Sequence, residues 1–117
     1  NILVTFDEIQ AGFGRTGKKF GYQHYNVKPD LICCGKAMGN GYPISGVLGK
    51  KKILDIPNPG EMSSTHSSNP LACAAGISVL DEINKKKLVT QSFKKGKILK
   101  RKLNKCTKQR FNRSNYF

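Results

Sequence analysis

The chain has 117 residues and a formal net charge of +14, a length that suits one modest domain with a core and not two. No apolar run approaches the ~20 residues of a membrane span, and no basic stretch followed by an apolar one reads as a signal peptide, although the chain opens on Asn1 with a strand already under way. The charge is uneven: residues 85–117 hold thirteen Lys and Arg and no acid, whereas residues 1–84 hold eight against seven Asp and Glu.

In chain order, Ile2 to Phe6 (ILVTF) is a short apolar run rich in β-branched residues. That pattern predicts a strand buried on both faces of a largely parallel sheet, with Asp7 at its end. The following stretch to Asp30 is glycine-rich and aromatic without a clean period. It reads as a loop with one short helical piece around Tyr22–Tyr25. Leu31 to Cys34 (LICC) is a second buried-strand candidate, opened by Pro29-Asp30, closed by Gly35 and followed by Lys36. KAMGNGYP is a flexible turn, Ile44 to Leu48 a third strand, and Lys50 to Gly60 a polar connection with a turn of helix at Lys51–Asp55.

Asn69-Pro70 then has the chemistry of a helix N-cap and first helical position. The helix it opens places Cys73, Ile77, Leu80 and Ile83 at helical spacing. A second helix is predicted from Leu88 to about Lys105, with Leu88, Phe93, Leu99 and Leu103 on or near one face. The order strand, loop, strand, strand, helix, helix argues an α/β fold. Cys33, Cys34, Cys73 and Cys106 form no C-x-x-C pair and no metal spacing. They read as buried or partly buried thiols in a reducing compartment, which points to the cytoplasm. His24 has no second ligand at metal spacing, so it is expected in packing or at the surface, and no metal is expected.

Two features compete for the chemistry near the N-terminus. Gly12, Gly14 and Gly17 form G-x-G-x-x-G, but a dinucleotide loop must open a helix and be followed by an acid about 20 residues on. Here Lys-Lys-Phe-Gly follows, and Asp30 sits too early in a Pro-Asp turn. Asp7 has the stronger case. The C-terminal ends of parallel strands face the crevice where α/β proteins bind ligands, although a lone strand-end Asp more often satisfies a turn. Lys36 changes that balance, because it follows the second strand and would reach the same crevice instead of open water. A lysine withdrawn from water is a nucleophile suited to Schiff-base chemistry. A carboxylate to hold a pyridinium protonated and a lysine to join an aldehyde suggest pyridoxal 5'-phosphate (PLP).

The run from Asp7 to Gly17 (DEIQAGFGRTG), then Pro29-Asp30, then Lys36 to Pro43 (KAMGNGYP), then Thr65 to Ala75 (THSSNPLACAA) resembles the class-III aminotransferases, which are fold-type-I PLP enzymes. The resemblance covers roughly Ile2 to Ile83. It implies a large-domain segment with mostly parallel strands followed by a long helix, in which Asp7 pairs with the pyridine nitrogen. Gln10 is then placed near the ring and its 3-hydroxyl, and Lys36 forms the Schiff base and shuttles the proton. Thr65 would reach the phosphate of the cofactor held by the partner subunit, which implies a homodimer. His66 and Ser67 depart from the Tyr and Gly often seen there, which puts the loop shape in question but keeps the threonine. Glu8 belongs to the motif without a chemical step that requires it, so a structural role is expected. Arg15 and Lys18 could bind an acidic substrate group but read as turn or surface residues.

The resemblance divides the chain into a PLP-binding segment, 1–84, and a basic helical start of a C-terminal domain, 85–117. Family members are three to four times longer, so the chain reads as an internal fragment, expected to be inactive alone and to expose unpaired sheet edges. The activity implied is transfer of an amino group from an amine or amino acid to a 2-oxo acid. Decarboxylases and aminomutases of the same fold share the motifs. A reading of another class is a non-catalytic basic module binding polyanions through the tail, with Phe93, Phe111, Tyr116 and Phe117 interleaved. The apolar stripe of that tail argues instead for a solvated lysine face, and neither a membrane nor nucleic acid is the expected partner.

Overall fold

The computed structural model describes residues 2–62 and 64–113. Three short runs pair into one sheet in the order β1 (Thr5–Asp7), β2 (Leu31–Cys34), β3 (Gly46–Gly49). β1 and β2 are parallel, with Thr5 opposite Leu31 and Asp7 opposite Cys33. β3 runs antiparallel to β2, Cys34 facing Gly46 and Leu31 facing Gly49. The connection over residues 35–45 is too short to carry the crossover helix a third parallel strand would need.

The first strand is shorter than its apolar run. Val4 is already held by the start of β2: its N–H donates to Asp30 Oδ2 at 2.9 Å, and its carbonyl accepts from the N–H of Asp30 at 2.8 Å and of Leu31 at 3.2 Å. Ile2, Leu3 and Val4 are exposed, Ile2 by 91%. The expectation of a strand buried on both faces is therefore not met, because the helices pack on the loops beside the sheet rather than across it. Lys50 Nζ closes this corner on Asp30 Oδ1 at 2.5 Å.

The glycine-rich loop is organised by a buried carboxylate and by aromatic rings. Glu8 is 1% exposed, and its two oxygens accept the N–H groups of Gly21 at 2.8 Å and Tyr22 at 2.7 Å. These open the 3₁₀ turn Gly21–His24, close to the helical piece expected there. Phe6 packs edge-on against Tyr22 and Phe13 against Phe20, with centroids 5.8 and 5.6 Å apart. His24 Nε2 lies 3.1 Å from Thr16 Oγ1, a surface contact that ties the turn to the loop.

The α-helices among the described residues are α1 (Lys51–Leu54), α2 (Pro70–Lys85) and α3 (Leu88–Arg113). Asn69 caps α2, its Oδ1 accepting from the N–H of Leu71 at 3.0 Å and Ala72 at 3.1 Å, with Pro70 at the first helical position. The buried positions of α2 are Ala72 and Gly76, one turn apart, and they meet the turn after Lys36. A β-carbon on Gly76 would stand 3.5 Å from Ile44 Cδ1. The face expected from Cys73, Ile77 and Leu80 points outward, Ile77 being 60% exposed, and Ile83 alone of that set is half-buried. Small side chains let the helix approach the turn closely, and that approach outweighs the larger apolar residues.

Lys86 and Lys87 join α2 to α3, Lys87 in the left-handed region at φ 51°, and the two helices pack on each other. α3 is longer than expected. Its first turns lie against the glycine loop, where β-carbons on Gly14 and Gly17 would meet Val89 and Phe93. Further along, Leu99 and Leu103 are exposed, so the apolar stripe is covered only near its start. Tyr116, Phe117 and the side chain of Phe111 lie outside the described residues. Among the described residues no helix is long and apolar enough to cross a membrane.

Candidate active site

The parallel pairing of β1 with β2 brings two sequence-predicted residues to one edge. Asp7 ends β1 opposite Cys33, and Lys36 stands three residues beyond Cys33, just past the end of β2. Asp7 Oδ1 accepts from the N–H of Ile9 at 3.0 Å; among the described residues Oδ2 has no donor. Gln10 follows, exposed in the turn that leaves the strand. Ile9, which lies between them in sequence, packs toward the residue before Lys36: a β-carbon on Gly35 would stand 3.5 Å from Ile9 Cγ2. Asp7 and Lys36 thus follow the ends of neighbouring strands, but neither Asp7 nor Gln10 is among the residues that line the surface cleft at Lys36.

Lys36 adopts φ 41°, a left-handed conformation that a non-glycine residue takes at a cost. The 3₁₀ turn Lys36–Met38 begins there, and Asn40, at φ 48°, turns the chain again. Together these wrap residues 36–44 into the wall of a cleft of about 420 Å³, lined among others by Lys36, Arg15, Asn40 and Tyr42. Lys36 is exposed there rather than withdrawn from water, because a turn on one side and the Arg15 loop on the other leave the mouth open. In the sequence, Asn40 and Tyr42 carry no signal beyond the Asn40-Gly41 turn. Arg15 comes into the cleft; Lys18, weighed alongside it, is not among the lining residues.

Thr65 is not brought to this edge. It sits exposed in a turn closed by the N–H of Ser67 on the Ser64 carbonyl and the N–H of Ser64 on Ser67 Oγ, both 2.9 Å. Glu8 faces away from the cleft into its own hydrogen bonds, the structural role expected of it. Cys34, 3% exposed, packs beneath the same strand end. Burial first, then the charge of Glu8 and the neighbouring Cys33, push its thiol above the ordinary value. Cys73 and Cys106 are exposed free thiols, unlike the buried pattern expected for all four. Among the described residues no group of three or more His, Cys, Asp or Glu is placed to hold a metal ion.

The family profile described as aminotransferase class-III matches residues 1–114. The chain belongs to the class-III aminotransferase family. Among its relatives, the acetylornithine/succinyldiaminopimelate aminotransferase of Buchnera aphidicola is 44% identical over 104 residues, 89% of this chain and 26% of the relative. Among solved structures, the acetylornithine aminotransferase of Elizabethkingia anophelis superposes with a TM-score of 0.87 at 38% identity, covering 93% of this chain and 29% of that one. The ornithine aminotransferase of Toxoplasma gondii, crystallised with oxidised glutathione and holding PLP at partial occupancy in its active site, gives 0.74 at 40% identity over 77% of this chain and 21% of that one. The chain therefore spans about a quarter of the length of the curated relatives it matches. The class-III aminotransferase fold class is seen in the short sheet and long helices alike.

Proposed function

We propose that the whole protein is a PLP-dependent transaminase that moves an amino group from an amine or amino-acid donor to a 2-oxo acid. The observation that supports this reading is the parallel pairing of β1 with β2, which leaves Asp7 and Lys36 at neighbouring strand ends. With Gln10, that donor set fits PLP: a carboxylate for a ring N–H, an amide for a ring hydroxyl and an amine for an aldehyde. When bound, PLP supplies the electron-accepting ring and carries the nitrogen between the two half-reactions.

The chain's own residues then have distinct tasks. Asp7 holds the ring nitrogen in its protonated form through its carboxylate, steadied by the Ile9 N–H on Oδ1. Gln10 orients the ring through the 3-hydroxyl. Lys36 anchors the cofactor and moves the proton at the substrate carbon that bears the nitrogen. Thr65 donates its hydroxyl to the phosphate of the cofactor held by a partner subunit, so the site is completed in a homodimer. Its exposed turn, apart from the Lys36 edge, is compatible with that role. We place the cofactor-binding segment in residues 1–84, the start of the C-terminal domain in 85–117, and the protein in the cytoplasm. The names of the relatives point to amino-acid donors such as ornithine and its acetyl derivative. By itself the 117-residue chain is expected to show no turnover.

The test is direct amino transfer by the whole protein loaded with PLP, offered an ornithine-type donor and a 2-oxo acid. Transfer by the wild type that falls by about 10³-fold or more in Lys36→Ala, with the fold retained by circular dichroism, is the expected result. Undiminished transfer in Lys36→Ala refutes the assignment.

A further inference from the structure

We propose that Arg15 is the anion-holding residue of the Lys36 cleft, gripping an oxyanion of the molecule that reaches Lys36; the inference rests on the transaminase reading above. Three observations carry it. Arg15 and Lys36 line the same cleft, and none of the lining residues is acidic. Two cations without a counter-charge give such a cleft a standing attraction for anions. Among the described residues the ion pairs join Lys50 to Asp30, Lys51 to Asp55 and Lys86 to Glu82, so no carboxylate there occupies the Arg15 guanidinium.

The third observation is that the backbone of Arg15 is fixed from outside the cleft. Its N–H donates to the Gly12 carbonyl at 3.4 Å, and its own carbonyl accepts from Ser92 Oγ of α3 at 3.1 Å. Arg15 is exposed and borders a second groove against α3 with Leu88, Gln91 and Ser92, so its guanidinium stands at the rim of the Lys36 cleft. The loop with its three glycines thus delivers a cation to the cleft by lying against α3. Guanidinium matches the fork of a carboxylate or phosphate in a bidentate way that an ammonium cannot. Two sources could present that oxyanion, the carboxylate of the oxo acid and the phosphate of the cofactor.

The experiment uses the whole protein and its Arg15→Lys and Arg15→Gln variants, and reads two constants. One is KM and kcat for the 2-oxo acid that the wild type uses; the other is the Kd of the cofactor-free protein for PLP, from fluorescence quenching. If the substrate carboxylate is held, KM rises about 10- to 100-fold in Arg15→Gln, less in Arg15→Lys, with kcat within a few-fold and Kd unchanged. If the cofactor phosphate is held, Kd rises by a similar factor. Both constants within twofold of wild type in Arg15→Gln overturn the proposal. So does an equal loss of kcat in both variants with a lowered melting temperature, which marks a structural role. A wild type that takes up PLP but transfers no amino group refutes the transaminase reading first, and the proposal with it.

Discussion

Gly17 lies against Phe93 so closely that a β-carbon on it would stand 3.0 Å from both Cα and Cβ of the phenylalanine. Its φ of 86° is in the left-handed region that favours glycine. Gly14 meets Val89 of the same helix in the same manner. Gly14 and Gly17 are therefore a seat for α3, while Gly12 lies against Glu8 and Phe20, and the contact with α3 also sets the Arg15 backbone between the two glycines.

Gly17→Ala combines backbone strain with a clash that the Phe93 backbone cannot relieve by a rotamer change. It should destabilise the whole protein by about 2–3 kcal/mol. Gly41, at φ 108° with nothing within 4 Å of a β-carbon, provides the comparison. Gly41→Ala should cost about 1 kcal/mol. Urea unfolding of both variants checks the ranking, and equal losses would remove the packing argument.

Glu8 is an acidic residue of the motif whose work is architectural. Glu8→Ala removes the acceptor of two backbone N–H groups, those of Gly21 and Tyr22, and should cost about 2–4 kcal/mol. Glu8→Gln keeps an acceptor oxygen and should lose less. The affinity for PLP, read by quenching in the folded variants, should stay near wild type in Glu8→Gln. A selective loss of cofactor binding at unchanged stability would move Glu8 into the site.

What the sequence made legible was local chemistry. Asn69-Pro70 announces its helix because the cap needs only a side-chain oxygen and two nearby N–H groups. Leu31–Cys34 is a strand as read, and Asp7 ends its strand as read. The buried face of α2 was not legible, since periodicity weights Ile77 and Leu80 while the close approach to Ile44 selects Ala72 and Gly76. Nor was the left-handed backbone at Lys36, since the glycines around it signal a turn but the adjacent Gly35 is extended and Lys36 itself takes the positive φ. Arg15 looked like a turn residue because only the folded path of residues 36–44 creates the cleft it lines. Exposure of Ile2 and Leu3 ran against their apolar character because no described element lies over them.

The Asp30 carboxylate makes acid sensitivity specific. Its hydrogen bond from Lys50 first, and then the Val4 N–H, hold it below its ordinary value of 3.8. A depressed folded-state pKa means that the folded chain binds fewer protons than the unfolded one near that pH. The stabilisation is therefore present above about pH 4 and is lost as pH falls through the folded value. Melting temperature against pH from 5 to 3 should fall less steeply in Asp30→Asn than in wild type. Parallel slopes would show that the Asp30 corner adds nothing to acid lability.

The central claim is that Lys36, at the strand edge it shares with Asp7, is the residue that joins PLP. Borohydride reduction of the PLP-loaded whole protein, followed by digestion and mass spectrometry, measures this directly. The account predicts a phosphopyridoxyl label on the peptide containing Lys36, absent in Lys36→Ala, and a weakened cofactor signal in Asp7→Asn. A label on Lys18, Lys50 or another lysine in place of Lys36, or no label on a protein that transfers amino groups, would contradict it.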